Sequence, residues 1–186
     1  MVKKWKTLAV KTVYATPWLT LRLETCELAP GKVVTDYHVT HYEPVVFVVA
    51  LTPDQNVVLV QQYRQGIKEI TTELPAGGVE PNEDVVAAGR RELLEETGYS
   101  AEHFEHLCTL APNPSGSDNY HCFLLAHDAR QRQVPQGCAD TETTEVLTVS
   151  IQHAYAMAVR GEISSTSSVA GIYAALTHLG VLQLRI

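Results

Sequence analysis

Leu19, Leu21 and Leu23 alternate with Thr20, Arg22 and Glu24, the two-residue period of a strand with one apolar face. Ala29-Pro30-Gly31-Lys32 supplies a turn before a second strand over residues 33–41, so a twisted hairpin is predicted. The richer apolar run of residues 45–51, the turn signal Pro53-Asp54-Gln55-Asn56 and the run 57–62 predict a more fully buried hairpin. Its end delivers Tyr63, Arg64 and Gln65 to an edge or loop. After residue 78 the period changes. Pro81 and the potential N-cap Asn82 precede a helix from about residue 83 to 97, with Gly98 as its breaker and Val86, Ala87, Leu93 and Leu94 as its apolar side. Gly89 within that helix costs roughly 1 kcal/mol relative to alanine unless close packing requires it. Strands over 107–110, 120–125 and 146–149, loops over 112–118 and 131–144, and terminal helices over 151–159 and 168–182 complete the pattern. The mixture predicts an α/β or α+β sandwich, because strands and helices do not alternate regularly.

Polar positions of the helix carry the candidate chemistry. Glu92 and Glu96 lie four residues apart and Glu95 lies three after Glu92, so three carboxylates approach one side of the helix. Unpaired, they repel one another. A divalent cation offsets that repulsion and can hold phosphate oxygens beside the carboxylates, whereas an ordinary solvated face is the alternative that spacing leaves open. Arg91 can neutralise or orient one of them. Upstream, Gly77-Gly78 permits close backbone approach, and Ala76 can turn its carbonyl toward a metal. One carbonyl with several hard carboxylates suits Mg2+ or Mn2+.

Composition narrows the partners. A chain of 186 residues has the length of one generous domain, and 45% hydrophobic with 19% charged residues is a globular composition. The net charge of −7 disfavours nonspecific contact with nucleic-acid backbones or anionic membranes, so no nucleic acid and no membrane is expected as partner, while a local basic pocket can still hold a small anion. Lys3-Lys4-Trp5-Lys6 is followed by no clean apolar export segment, and Thr177, His178 and Gln183 interrupt the last apolar run. The 4 cysteines form no CxxC pair and read as free thiols of a cytoplasmic protein. His38 with His41, and His103 with His106, have metal-like separations but no third local ligand, and read as ordinary strand or loop contacts.

Gly77, Glu83, Arg91, Glu92, Leu93, Glu95, Glu96, Gly98 and Tyr99 resemble the Nudix hydrolase box at its fixed positions and separations. Gln62-Tyr63-Arg64, the run from Glu73 to Gly78 and Gly161-Glu162-Ile163 resemble the ADP-ribose and nucleoside-diphosphate-sugar pyrophosphatase branch of that family. The resemblance implies an α/β/α sandwich around a mixed β-sheet with an additional N-terminal antiparallel β-region. It implies a single domain over 1–186, whose β-extension over 1–41 takes part in a homodimer by crossing to the partner; a monomer using the same residues as its own sheet is the other reading. The implied reaction is metal-dependent hydrolysis of the diphosphate in ADP-ribose or a nucleoside-diphosphate sugar, giving a nucleoside monophosphate and a sugar phosphate. Hydrolysis of dinucleoside polyphosphates, coenzyme A or nucleoside triphosphates, and a nonenzymatic nucleotide-binding regulator, are the alternatives.

By the same resemblance the Ala76 carbonyl, Glu92 and Glu96 hold the metal, and Glu95 contacts it or manages its water. Arg91 orients the acidic cluster, and Glu83 fixes the turn and helix. Glu142 is the expected general base, with Glu145 as the close alternative. Arg64 and Glu73 are candidates for the substrate site, Arg64 either as a phosphate clamp or in a structural salt bridge. Pro114 stands where ADP-ribose-preferring relatives carry a proline, but Asn119 replaces an acidic residue expected in some of them. Trp18, Tyr14 or Tyr37 can stack on a base, or else pack in the core or a dimer interface.

Overall fold

A computed structural model describes residues 2–135 and 144–182, and the chain divides into two compact units: Met1–Pro44 with Ala111–Tyr120, and Val45–Leu110 with His121–Ile186. In the first unit β1 (Lys6–Ala15), β2 (Thr20–Ala29) and β3 (Lys32–His41) form an antiparallel sheet in that order. The β2–β3 turn falls at Pro30-Gly31, where Gly31 takes the left-handed φ of 76°. All ten residues of β1 are exposed, including Leu8, Val10, Val13 and Tyr14. The segment 111–120 is tied to β3: Thr40 N–H donates to the Gly116 carbonyl at 2.8 Å, and Asp118 N–H to the Thr40 carbonyl at 3.2 Å. Asp118 also pairs with Arg22 and with His41.

The second unit contains a mixed sheet in the order β7-β4-β10-β9. Its central strands β4 (Val45–Ala50) and β10 (His121–His127) are parallel, and β7 (Ala76–Gly78) and β9 (His103–Leu110) add antiparallel at the two edges. A second sheet sets β5 (Asn56–Arg64) between β6 (Glu69–Glu73) and β12 (Glu145–Ser150), and β8 (Tyr99–Ser100) pairs with β11 (Arg130–Gln131). Three helices follow from the sequence: α1 (Val85–Thr97), α2 (Ile151–Arg160) and α3 (Thr166–His178).

The continuous apolar run of β4 is explained by burial on both faces. Val46, Val48 and Ala50 share a core cluster with Ala88 and Leu93 of α1, whereas Phe47, Val49 and Leu51 pack with Ile151 and Met157 of α2 and Ile172 and Leu176 of α3. Each such aliphatic side chain withdrawn from water contributes about 1.5–3 kcal/mol before entropy is set against it. The result is the α/β/α sandwich around a mixed sheet, with the N-terminal antiparallel region beside it in the chain.

Three local expectations are corrected. The helix begins at Val85, not residue 83, because the Asp84 side chain caps it by accepting from the Val86 and Ala87 amides; Asn82 instead takes a left-handed φ of 67°. Ala87 is exposed, and Ala88 and Gly89 occupy the buried stripe. Gly89 earns its place by approach: a Cβ there would stand 2.6 Å from Leu124 Cδ1 and 3.4 Å from Val48 Cγ2. Finally, α3 ends at His178 rather than running to residue 182.

Candidate metal centre

The turn before α1 and the helix itself bring the acidic residues to one place. Gly77 lies on β7 directly under Glu92, so close that a Cβ on residue 77 would collide with the Glu92 carboxylate. Glu96 is one turn further on, and its Oε2 accepts the Ala76 amide at 2.9 Å. Both carboxylates are buried, Glu92 to 8% exposure and Glu96 to 4%, while the Glu95 side chain remains 47% exposed. Ala76 therefore meets Glu96 through its N–H, a contact that spacing alone does not reveal.

Arg91 ties the cluster together. Its Nε and Nη2 donate to Glu83 at 3.0 and 2.9 Å, its Nη2 also reaches the Gly78 carbonyl at 2.9 Å, and its Nη1 meets Glu92 at 2.6 Å and Glu95 at 3.5 Å. Hydrogen bonding to Glu83 is the foremost reason the guanidinium is held above its ordinary pKa. Glu83 is held low by Arg91 and by the Glu80 amide, which it accepts at 3.0 Å. Burial pushes the Glu92 carboxyl above the usual carboxylate value, and the neighbouring Glu95 and Glu83 charges add to the rise against the pull of Arg91. One arginine among four glutamates leaves excess negative charge, and oxygen-only donors partly buried beside backbone fit a hard divalent cation.

A second charged grouping is Arg64 with Glu73. The guanidinium donates twice, Nε to Oε1 at 3.2 Å and Nη2 to Oε2 at 2.7 Å, and Thr71 Oγ1 donates to Glu73 Oε1 at 2.6 Å. Burial acts to raise the Glu73 pKa, but the bonds from Arg64 and Thr71 together hold it below the ordinary value. The salt bridge is thus formed, and it aims an Arg64 side chain that is 41% exposed. Thr71 is a member of this grouping that the sequence pattern did not single out.

The remaining candidates are dispersed. Glu142 lies outside the described residues. Glu145 starts β12 opposite Gln61 and helps line a cleft of about 260 Å³ with Gln62, Tyr63 and Ile70. Trp18 and Pro114 belong to the first unit. Trp18 is 84% exposed in the β1–β2 turn, which overturns its reading as a core residue, and Tyr37 packs edge-on against Trp5. His38 and His41 lie three apart on β3, as do His103 and His106 on β9, a separation that turns the members of each pair to opposite faces of a strand. His103 instead joins Glu105 and His127 in a cluster whose ligand atoms lie within 4.8 Å of one another. None of these three residues belongs to α1 or β7. Cys26 and Cys122 are buried free thiols and Cys108 is half-buried; no described helix is long and apolar enough to cross a membrane.

Comparison with known proteins decides what this helix belongs to. Residues 41–165 match the NUDIX domain. The chain belongs to the Nudix family. Residues 5–40 match the nucleoside diphosphate sugar hydrolase N-terminal domain, so the N-terminal β-region of this Nudix hydrolase superfamily member has a counterpart of its own. Among curated relatives, a methanol dehydrogenase activator of Bacillus methanolicus is 27% identical over 80% of each chain. An ADP-ribose pyrophosphatase of Bacillus subtilis is 26% identical over 85% of each. A crystal structure of an ADP compounds hydrolase superposes with a TM-score of 0.82 at 20% identity, covering 98% of this Nudix chain and 99% of the other, which is a likeness of fold.

Proposed function

We propose that this Nudix protein hydrolyses the diphosphate of ADP-ribose or a nucleoside-diphosphate sugar, releasing a nucleoside monophosphate and a sugar phosphate, with Mg2+ or Mn2+ as its cofactor. The observation that carries the reading is the pair of buried carboxylates, Glu92 and Glu96, packed against Ala76-Gly77, with Glu92 bridged to Glu83 by Arg91. The nucleoside diphosphate sugar hydrolase match over residues 5–40 and the ADP-ribose pyrophosphatase among the relatives support the choice of substrate.

Glu92 and Glu96 hold the cation, with the Ala76 carbonyl as a further oxygen ligand and Glu95, the exposed member, placed to contact it or its water. When bound, the cation supplies charge neutralisation at the pyrophosphate and polarises the phosphorus centre. Arg91 keeps Glu92 in position, and Glu83 keeps Arg91 in position, so their part is orientation. Arg64, aimed by Glu73, clamps a phosphate or carboxylate of the substrate through its directional fork. Glu142 takes the proton of the attacking water, with Glu145 as the alternative base. Trp18 and Pro114 are assigned to substrate binding, Trp18 by stacking on the base. The chain acts as a cytoplasmic homodimer, the exposed apolar residues of β1 forming the partner surface.

A product screen tests this. With Mg2+ or Mn2+, the full chain is offered ADP-ribose, several sugar nucleotides, dinucleoside polyphosphates, coenzyme A and nucleoside triphosphates, and the products are identified. Monophosphate and sugar phosphate in equal amounts from the first two groups are expected. Preferential cleavage of another group reassigns the substrate, and no hydrolysis with either metal removes the enzymatic reading.

A further inference from the structure

Outside α1 and β7, three imidazoles surround one carboxylate. His103 and His127 are directly opposite in the antiparallel β9–β10 pair, and Glu105 follows His103 by two residues, so all three project from one face of the sheet. Their neighbour on that face, Leu125, packs in the core with Ile172 and Leu176 of α3, and His178 closes that helix. The Nε2 atoms of His103, His127 and His178 stand 3.2, 2.9 and 3.0 Å from the two oxygens of Glu105.

Ion pairing does not fully account for this arrangement. His127 Nε2 is buried and, although 2.9 Å from Glu105 Oε1, has no hydrogen-bond partner. Its ring and that of His103 lie side by side, centroids 5.3 Å apart. Ligands placed 2.0–2.1 Å from a tetrahedral zinc stand roughly 3.3 Å from one another, close to the separations of His103 and His127 from Glu105. The three ligand atoms all lie within 4.8 Å of one another. A cleft of about 240 Å³, lined in part by His103, His127, Glu102 and Asp128, opens beside the two imidazoles as an entry path.

We propose that His103, Glu105 and His127 form a second metal site, for a divalent transition ion of the zinc class, with His178 holding the other oxygen of the Glu105 carboxylate. Two imidazoles with one carboxylate select against Mg2+, which takes oxygen ligands and keeps its waters, and favour Zn2+, Co2+ or Ni2+. The ion joins β9 to β10, and Glu105, held by His178 through its other oxygen, passes the link to the end of α3. The site is independent of the proposed hydrolysis and stands or falls separately from it.

The probe is Co2+, added to the tag-free full chain in excess Mg2+ so that the oxygen-lined centre is occupied. The expected result is one Co2+ per chain with the visible bands of four-coordinate cobalt, displaced by Zn2+, and a higher melting temperature with stoichiometric Zn2+. Glu96→Gln keeps the bands. His103→Ala and His127→Ala lose them and weaken Zn2+ binding at least about 100-fold, since loss of a mere outer partner already costs 10–100-fold. His103 is 68% exposed in its side chain, so His103→Ala keeps the fold even if His127→Ala does not. Absence of the bands in the unsubstituted chain, or bands unchanged in His103→Ala, overturns the proposal.

Discussion

The acidic helix and the histidine cluster are near inversions of each other. Around Arg91 a single cation is shared by Glu83, Glu92 and Glu95; around Glu105 a single carboxylate stands among three imidazoles. The first gathers hard oxygen donors and the second borderline nitrogen donors, so the two proposed sites call for different classes of ion. They also differ in where their order comes from. The helix supplies most of its carboxylates from one turn and a half of backbone, whereas the histidines meet only because β9, β10 and α3 meet.

That contrast can be broken most forcefully at Glu92. Glu92→Gln keeps the shape and removes the charge, so metal-dependent turnover should fall about 10²–10³-fold, corresponding to the several kcal/mol that a metal clamp supplies, while the unfolding midpoint changes little. Unchanged turnover at subsaturating Mg2+ would remove Glu92 as a principal ligand. Next comes Glu142→Gln, expected to lower kcat by about 10²-fold, typical of a general base, with little change in KM. Normal turnover there, with a loss in Glu145→Gln, moves the base to Glu145.

Smaller effects test how the helix is held. Gly89→Ala gains helix propensity but drives a methyl group against Leu124, and overpacking should win, with a net loss of about 1 kcal/mol in denaturant unfolding. A gain in stability would show that α1 can move off the sheet freely. Arg64–Glu73 serves as an ion pair outside both clusters. The folded Glu73 carboxyl lies below its ordinary value, so the pair's contribution is complete above the unfolded pKa of about 4.3 and is lost as pH falls through the lower folded value. In Arg64→Ala, burial is the largest influence left on Glu73, and the rise of melting temperature with pH across that acidic window should disappear. A melting profile parallel to that of the unsubstituted chain would separate Glu73 from Arg64.

The contrast also explains what could be read without coordinates. Glu92, Glu95 and Glu96 are neighbours by helical spacing, so their convergence is legible in the chain, as is the fuller burial of the apolar run in β4; the hairpin expected between β4 and β5 is not formed, because β4 pairs with β7 and β10 and β5 with β6 and β12. The histidine cluster was not, because its members come from residues 103, 105, 127 and 178 and depend on strand register; spacing paired His103 with His106, which belongs on the opposite face. Helix entry was misplaced by two residues because Asn82 and Asp84 are both good caps, and only the backbone shows which side chain reaches the amides. The short strands β7, β8 and β11 also escaped notice, since segments of two or three residues carry no period.

The segment 111–120 has a last consequence, for protein engineering. It leaves the strand framework after β9, pairs with Thr40 of β3, and returns to begin β10, so the polypeptide passes between its two compact units three times. No single cut yields two intact pieces. Removing residues 1–44 would deprive Gly116 and Asp118 of their backbone partner while leaving their loop in the chain between β9 and β10, so a shortened version of this protein has to be redesigned at both places together.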